Sequence, residues 1–294
     1  MKPVRVALFA PGSKERVMAK ALESGAEAVI LDLEDSVPAA SKAEARALVA
    51  RIIDARGAGP AIIVRVNAAA TGLLPDDLEA IVRPGLDAVM LPKAETVEDV
   101  QRTAEAIDRH EAARKMAPGS VALIPMIESA LGVHNCFALI TASPRIAATC
   151  FGSARDGDLQ TDLGCAWSIE GTELLYARSK VLLDTRAAGS HIHPLDGVFS
   201  DLNDEAGLIA DSKLSARLGY IGRTVIHPKQ IAPVRIAYAV TDAEVAYYRK
   251  VVSEFEAAEK AGSAAISVDG KLVDYAMAQR ARRVLDLANL DRPG

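Results

Sequence analysis

Carboxylate side chains follow several apolar segments of this chain, at the point where each segment ends. Glu34 and Asp35 come after "AVILDL", and Glu128 follows "VALIPMI". Asp156 and Asp158 lie in the polar stretch "GSARDGDLQTDLG". If the segments end at one place, these charges repel one another, and a divalent cation with a preference for oxygen ligands would relieve the repulsion. The local alternatives are that Glu34 and Asp35 cap a following helix and that Asp156 and Asp158 lie in a solvated loop.

Two basic residues occur within or directly after apolar segments. Arg65 interrupts the strand-like "IVRVN", and a buried guanidinium is costly unless an anion meets it. That anion is either a bound substrate or a structural partner, for which Asp32 and Glu34 are the candidates. Lys93 ends "VMLPK", where its side chain could act in a site or its aliphatic stem could only cover a rim.

The elements that would position these residues are eight short apolar segments, most of them followed by a helical stretch. The segments cover residues 4–10, 28–35, 61–67, 88–95, 121–129, 146–152, 190–198 and 220–228. They are apolar on both faces, as parallel strands covered by helices are. Eight such units in sequence predict a closed (β/α)8 TIM barrel over residues 1–230. An open doubly wound sheet is the alternative, but no G-x-G-x-x-G follows the first segment.

A barrel of this kind carries its chemistry at the carboxyl ends of its strands. We therefore expect six or more acidic groups around one mouth, with Asp162 and Asp196 among them. The helices between the strands show N-terminal signals, such as capping boxes at Ser41 with Glu44 and, similarly, at Thr96 with Asp99.

The pattern changes after the eighth segment, so residues 231–294 are predicted to form a C-terminal helical extension. It contains a long helix that opens with a capping box at Thr241 and Glu244, then a strand-like run, an Asp-Gly turn and a final helix. We expect this extension to act as a lid or as an arm that contacts another subunit.

Composition excludes several classes of protein. The 294 residues are 50% hydrophobic and 4% aromatic, and the net charge is −5, which gives no sign of a nucleic-acid partner. No apolar run approaches the roughly 20 residues that span a bilayer, and the first segment does not read as a signal peptide. The three cysteines, an odd number in apolar contexts, suggest buried free thiols in a reducing cytoplasm.

Taken together, the motifs resemble those of the citrate lyase β-subunit family, which also holds malyl-CoA and citramalyl-CoA lyases. The matching stretches include "LFAPGSKER", "AVILDLEDSV", "VRVN", "VMLPKAE", "IESALG", "LYARSK", "LGYIGRTVIHPKQI" and "DGKLVD". They run in family order over nearly the whole chain. The resemblance implies a (β/α)8 barrel, Mg²⁺, and reversible cleavage of a 3-hydroxyacyl-CoA to an acyl-CoA and a 2-keto acid.

The resemblance also implies roles for single residues. Glu128 matches the first metal ligand, and the second is an aspartate after the sixth strand. The loop there is longer than the family pattern: alignment from the preceding Phe-Gly favours Asp156, whereas gap-free alignment back from "LYAR" favours Asp158, which we prefer because this anchor is longer. Arg65 matches the arginine that grips the keto acid. Asp274 matches an aspartate that a neighbouring subunit delivers for proton transfer.

Coenzyme A contacts are implied at the first strand and helix. The matching positions, expected to bind the cofactor part of the substrate, are Pro11, Gly12, Arg16 and Lys20. Arg223 stands where the family usually has a lysine before its "IHP" motif, which puts nucleotide contacts at that end in question.

Three functions stay open at this point. The first is a free-standing acyl-CoA lyase that forms a homotrimer or homohexamer. The second is a thioesterase or synthase-like variant on the same metal site. The third is a citrate lyase β subunit that works only within a complex, on an acyl carrier protein. The acyl group and the keto acid are not specified by the sequence.

Overall fold

We analysed a computed structural model of the chain, which describes residues 2–290. The described residues divide after Ala237 into two compact units. The first unit contains a closed barrel of eight parallel strands in sequence order. The strands are β1 (Val6–Pro11), β2 (Ala28–Asp32), β3 (Ala61–Arg65), β4 (Ala88–Leu91), β5 (Ala122–Ile127), β6 (Ala148–Phe151), β7 (His193–Asp196) and β8 (Gly222–Val225). The predicted barrel is thus confirmed, and the open sheet is excluded because β1 pairs with β8.

Helices follow the strands of the barrel. They are α1 (Glu15–Leu22), α2 (Lys42–Asp54), α3 (Leu74–Ile81), α4 (Val97–Ala113), α5 (Ala130–Thr141), α6 (Asp158–Leu163), α7 (Leu175–Ala188), α8 (Glu205–Leu218) and α9 (Ile231–Tyr238). Side chains from β1 to β7 form one buried cluster, in which Ile30, Ile63 and Ile124 are fully covered. Parallel pairing sets the register, so that Asp32 at the end of β2 lies beside Arg65 at the end of β3.

The capping predictions have mixed outcomes. Thr96 caps α4 by accepting a hydrogen bond from the backbone N–H of Asp99, as predicted. The prediction at Ser41 is wrong, because its side chain makes no capping hydrogen bond. Ser41 ends a short 3₁₀ turn with φ −102° and ψ 0°, whereas a capping residue needs an extended backbone to turn its side chain onto the first helical turn.

The second unit is built from a long helix, a hairpin and a final helix. These are α10 (Asp242–Lys260), β9 (Ala265–Val268), β10 (Lys271–Asp274) and α11 (Tyr275–Leu290). The Thr241–Glu244 capping box is present, which confirms that prediction. Val251, Phe255 and Val273 belong to a separate small core. No helix among residues 2–290 is long and apolar enough to cross a membrane.

Candidate active site

A cavity of about 440 Å³ opens at the carboxyl ends of the barrel strands. Its wall includes Asp32, Arg65, Glu128 and Asp158, and apolar side chains such as Phe9 complete it. Cavities of this size, mainly apolar with a few convergent charged groups, are typical of small-molecule sites. The cavity therefore brings together the charged groups that the sequence placed after separate strands.

Glu128 follows the last residue of β5 and is 5% exposed. Its Oε1 accepts a hydrogen bond of 2.9 Å from the backbone N–H of Lys93. Burial, with repulsion from Glu34, raises the pKa of Glu128 to about 7. On the other side lies Gly152, where a Cβ atom would stand only 2.3 Å from the Cβ of Glu128. A glycine directly after β6 is thus what lets this carboxylate occupy its place.

The loop after β6 distinguishes the two candidate aspartates. Asp158 is the first residue of α6, lines the cavity and leaves 45% of its side chain exposed. Asp156 lies outside the cavity wall, with a side chain that is 81% exposed and a φ of 58°. Its carboxylate lies 3.6 Å from Arg155. Asp158 is accordingly the aspartate of this loop that shares the cavity with Glu128.

Arg65 lies across the end of β2 and β3 and meets Asp32. Its Nε and Nη2 donate hydrogen bonds of 2.7 and 2.8 Å to the two carboxylate oxygens of Asp32. Its Nη1 lies 3.1 Å from Glu34, and its guanidinium stacks 5.0 Å from the centre of the Phe9 ring. Burial disfavours the charged guanidinium, but the bonds to Asp32 outweigh burial and the pKa of Arg65 is raised. The structural salt bridge that the sequence left open is therefore present, and it fixes the guanidinium on the cavity wall.

Glu34 is a buried carboxylate whose negative charge is only partly compensated by the groups around it. Its Oε2 makes no hydrogen bond, although it lies 3.1 Å from the Arg65 guanidinium. Burial is the main cause that raises the pKa of Glu34 to about 7, against the opposing effect of Arg65. The alternative role as a helix cap is not what the structure shows for Glu34, because the residue is 6% exposed and its carboxylate lies beside Arg65 and Lys93.

Lys93 contacts three of the carboxylates. Its backbone has φ 47°, a left-handed conformation that is uncommon for a side chain of this kind, and it directs the N–H to Glu128. The ammonium lies 3.5 Å from Glu34 and 3.4 Å from Asp158. Lys93 thus acts on the site through both its backbone and its side chain, and its stem does not merely cover the barrel rim.

The donor set fits a divalent cation of the magnesium type. Among residues 2–290, no three His, Cys, Asp or Glu side chains lie close enough to enclose a metal ion by themselves. Mg²⁺, however, often takes only one or two carboxylates from a protein and completes its shell with water and substrate oxygens. Glu128 and Asp158 beside an open cavity match that pattern. Burial raises the pKa of Glu128 and the Oε2 of Glu34 makes no hydrogen bond, so a cation bound here would meet carboxylates that the protein only partly compensates.

The residues expected to bind coenzyme A are placed as follows. Pro11, at the end of β1, lines the cavity. Gly12 is buried directly behind it, where a Cβ atom would lie 2.6 Å from the carbonyl oxygen of Asp32. Arg16 and Lys20 lie on α1 with exposed side chains. Asp274 lies in the second unit, where its Oδ1 accepts a hydrogen bond of 3.0 Å from the backbone N–H of Met277 and so caps α11.

Two expectations about acidic groups lining the mouth are corrected. Asp196 does not face the cavity but is buried in an ion pair with Arg178. Asp162 accepts a hydrogen bond of 2.6 Å from the backbone N–H of Ala130, at the start of α5. Arg223, where the resemblance left nucleotide contacts in question, is fully buried and donates hydrogen bonds to the carbonyl oxygen of Gly197 and to Asp211. The expected ring of six or more acidic groups is thus a smaller set.

A second group of cavity residues was not singled out from the sequence. Besides Gly152, these are Ser153, Ala154, Val198 and Ile226. They are small or apolar and follow β6, β7 and β8, so residue type alone gave no chemical signal. Their positions directly after strands were the only sign in the sequence that they could line the cavity.

The cysteine prediction is partly confirmed. Cys136 and Cys150 are buried free thiols, whereas Cys165, expected to be buried, is partly exposed.

A closed parallel barrel with an arginine and buried carboxylates at its carboxyl-end mouth defines a barrel enzyme that handles anionic, oxygen-rich ligands. The chain belongs to the HpcH/HpaI aldolase/citrate lyase family, whose profile matches residues 5–228. A second profile, described as a C–C bond lyase of the TIM-barrel fold, matches residues 181–290. The protein is therefore a carbon–carbon lyase.

Known relatives resemble the chain over nearly its full length. Citrate lyase subunit beta of Escherichia coli K12 is 38% identical over 287 residues, which cover 97% of this chain and 93% of that protein. Human mitochondrial citramalyl-CoA lyase is 30% identical, with coverage of 97% and 86%. The CitE protein of Mycobacterium tuberculosis, solved with magnesium, acetoacetate and coenzyme A, is 29% identical with a TM-score of 0.76 and 98% coverage of both chains.

Proposed function

We propose that this protein is a Mg²⁺-dependent lyase that cleaves a 3-hydroxyacyl-CoA, of the malyl-CoA or citramalyl-CoA type, reversibly to an acyl-CoA and a 2-keto acid. The observation that carries the proposal is the placement of Glu128, Asp158 and Arg65 on one cavity wall at the barrel mouth. The named relatives act on, or were solved with, ligands of this class, which supports it.

Glu128 and Asp158 would hold the metal. When bound, Mg²⁺ would supply Lewis-acid polarisation of the keto-acid carbonyl. Glu128 directly follows β5, Asp158 opens α6 after β6, and Gly152 leaves room for the Glu128 side chain.

Arg65 would bind the keto acid. Its guanidinium is held in one orientation by two bonds to Asp32, so little side-chain freedom is lost when an anion binds. A fixed positive group beside the carbonyl stabilises negative charge on that oxygen as the carbon–carbon bond breaks. In the cleavage direction the 3-hydroxyl loses its proton, the bond between C2 and C3 breaks, and its electron pair passes to the thioester as an enolate that is then protonated.

Asp274 is proposed to exchange the proton at the acyl-CoA carbon, from a neighbouring subunit. Apolar side chains beside it are exposed: Leu272 is 62%, Tyr275 is 55% and Met277 is 44% exposed. Apolar groups gathered around a carboxylate in this way suit a surface that another chain covers. We accordingly propose that residues 231–294 serve as a lid or subunit-contact arm and that the protein is a homotrimer or homohexamer.

Coenzyme A would enter beside α1. Arg16 and Lys20 provide exposed positive charge on that helix for the phosphates, and Pro11 lines the adjoining cavity with Gly12 buried behind it. We also propose a cytoplasmic location, which suits a protein whose three cysteines are free thiols.

The test is an assay of the chain purified alone. We expect condensation of glyoxylate or pyruvate with acetyl-CoA or propionyl-CoA in the presence of Mg²⁺, and none with EDTA. Release of free CoA thiol, detected with a thiol reagent, would instead indicate a thioesterase. Cleavage only after other citrate lyase subunits and an acyl carrier protein are added would indicate a subunit of that complex. Either result would overturn the proposal.

A further inference from the structure

The backbone and the side chain of Lys93 both contact the carboxylate cluster formed by Glu34, Glu128 and Asp158. Its backbone N–H donates to Glu128, and its ammonium lies between Glu34 and Asp158. The left-handed backbone, with φ 47°, produces this double contact just after β4. Strained conformations of this kind persist where the surrounding structure holds them, and they gather at functional sites.

The ammonium distances indicate what Lys93 contributes. Hydrogen bonds between an ammonium and a carboxylate are about 2.7–2.9 Å long. The distances from Lys93 are 3.5 Å to Glu34 and 3.4 Å to Asp158, so neither carboxylate is oriented by a close bond. Lys93 therefore supplies positive charge to both groups without fixing the direction of either.

The surrounding charges show why this positive charge matters. Arg65 donates two hydrogen bonds to Asp32 through Nε and Nη2. Only its remaining nitrogen, Nη1, lies close enough to Glu34 to offset the negative charge of that carboxylate. Besides Arg65, the ammonium of Lys93 lies 3.5 Å from Glu34 and 3.4 Å from Asp158. Without it, the metal-free protein would hold the buried Glu34 and Glu128 beside the partly exposed Asp158, with only Arg65 to compensate them, which is unfavourable.

We propose that Lys93 is the internal counter-cation of the metal site: it partly compensates the carboxylates in the metal-free protein and opposes Mg²⁺ once the ion binds. The inference rests on the proposed Mg²⁺ site. A positive charge held a few ångströms from a divalent cation repels it, and Asp158 must give up part of its interaction with Lys93 to bind metal. Lys93 thus lowers the affinity for Mg²⁺ and keeps the empty site folded.

The test compares Mg²⁺ binding by calorimetry in the wild type and in Lys93→Met, which keeps most of the aliphatic stem and loses the charge. We expect binding about tenfold tighter in the variant, equal to about 1.4 kcal/mol. Lys93→Arg keeps the charge and is the matched control, with affinity near that of the wild type. If Lys93→Met does not fold, Lys93→Gln carries the same expectation. Unchanged or weaker binding in the neutral variant would overturn the inference.

A second measurement needs no catalysis. In EDTA, Lys93→Met should melt at a lower temperature than the wild type, and saturating Mg²⁺ should raise its melting temperature by more, since stabilisation by a ligand grows with its affinity. Equal shifts in the two proteins would contradict the counter-cation role. If the wild type binds no Mg²⁺ at all, the proposed function fails; if it binds Mg²⁺ and the neutral variants do not bind it more tightly, only the role of Lys93 fails.

Discussion

At the residue scale, Glu128 is the group whose burial is hardest to explain without a cation. It is 5% exposed, and its pKa is raised to about 7. Glu128→Gln keeps an acceptor for the backbone N–H of Lys93 and removes the charge. We expect Mg²⁺ binding to be lost and activity to fall by about two orders of magnitude or more. The free energy of unfolding should not decrease, because repulsion with Glu34 is relieved.

Calorimetry and urea unfolding on the same preparation check this prediction. Retained Mg²⁺ affinity in Glu128→Gln would show that the ion, if it binds, uses other ligands. Loss of folding would show instead that the carboxylate is mainly a structural group.

The two aspartates after β6 provide a prediction with a control built into one loop. Asp158 lines the cavity and Asp156 lies outside it with a side chain that is 81% exposed. We expect Asp158→Asn to lower activity by about 100-fold or more, as loss of a metal ligand does, and Asp156→Asn to lower it less than about threefold. Steady-state kinetics at several Mg²⁺ concentrations compares them. The reverse order would mean that Asp156 is the ligand and that the loop rearranges.

At the scale of elements, the approach of β6 to β5 determines where Glu128 can lie. A Cβ atom at residue 152 would stand 2.3 Å from the Cβ of Glu128, too close for any real contact. We expect Gly152→Ala to displace Glu128, weaken Mg²⁺ binding and reduce activity by at least about tenfold, while the barrel stays folded. Gly59→Ala is the control, because nothing lies within 4 Å of its added Cβ. Wild-type Mg²⁺ affinity in Gly152→Ala would refute the packing argument.

The opposite end of the same strands is held by Glu111 and Arg145. Glu111 accepts hydrogen bonds of 2.9 and 2.8 Å from the N–H groups of Gly119 and Val121, before β5, and pairs with Arg145, before β6. Burial opposes its ionisation, but the bond to Arg145 and these backbone bonds outweigh burial and hold the pKa of Glu111 at about 2, below its usual 4.5. Because the pKa of Glu111 is lower in the folded protein than in the unfolded chain, its ionised form stabilises the fold at pH values above the unfolded pKa. That stabilisation is lost as the pH falls below the unfolded pKa toward 2.

Glu111→Gln should therefore destabilise the barrel by about 3 kcal/mol at neutral pH, because Arg145 loses a buried partner. The difference in unfolding free energy between wild type and variant should stay constant above about pH 5 and shrink on acidification below 4.5. Urea unfolding at several pH values measures it. Asp54→Asn, which breaks an exposed pair with Arg83, should change stability by less than about 1 kcal/mol at any pH. A pH-independent difference for Glu111→Gln would contradict the assignment.

Sequence reasoning predicted the strands well because their signal is local. Runs such as "AVILDL" must be buried on both faces, and parallel strands between helices are the arrangement that buries them. It failed where a backbone conformation decides the outcome. Ser41 has the right residue type for a cap but lies at the end of a 3₁₀ turn. Likewise, nothing local in "LPKAE" specifies the left-handed backbone of Lys93, whose N–H bonds to Glu128, 35 positions later.

At the scale of the whole molecule, the sequence identified the acidic residues that follow strands but not which of them share a cavity. Glu128 and Asp158 do, whereas Asp196 is buried against Arg178. Whether an acidic side chain faces the cavity depends on the direction in which it leaves the strand end and on which basic group packs beside it. Both features are set by tertiary packing. The polar residues at strand ends therefore predicted correctly where the barrel mouth lies, but they led us to expect more acidic groups there than the structure contains.

The last prediction concerns Asp274 and tests whether the active site is shared between subunits. In its own unit the carboxylate caps α11, among the exposed side chains of Leu272, Tyr275 and Met277. If a neighbour's barrel receives Asp274, then Asp274→Asn and Glu128→Gln are each inactive as separate oligomers. In a mixed oligomer, a barrel from the first variant can meet the intact Asp274 of the second. Random mixing in equal amounts should then complete about one quarter of the sites.

Activity is measured after the variants are mixed, dissociated and reassembled, with subunit exchange verified by differently tagged chains. Glu128→Gln mixed with Asp158→Asn is the control, because both lesions lie in the barrel and a shared Asp274 cannot complement them. Activity of the first mixture no greater than that of its separate components, with exchange established, would show that each chain uses its own Asp274 or none.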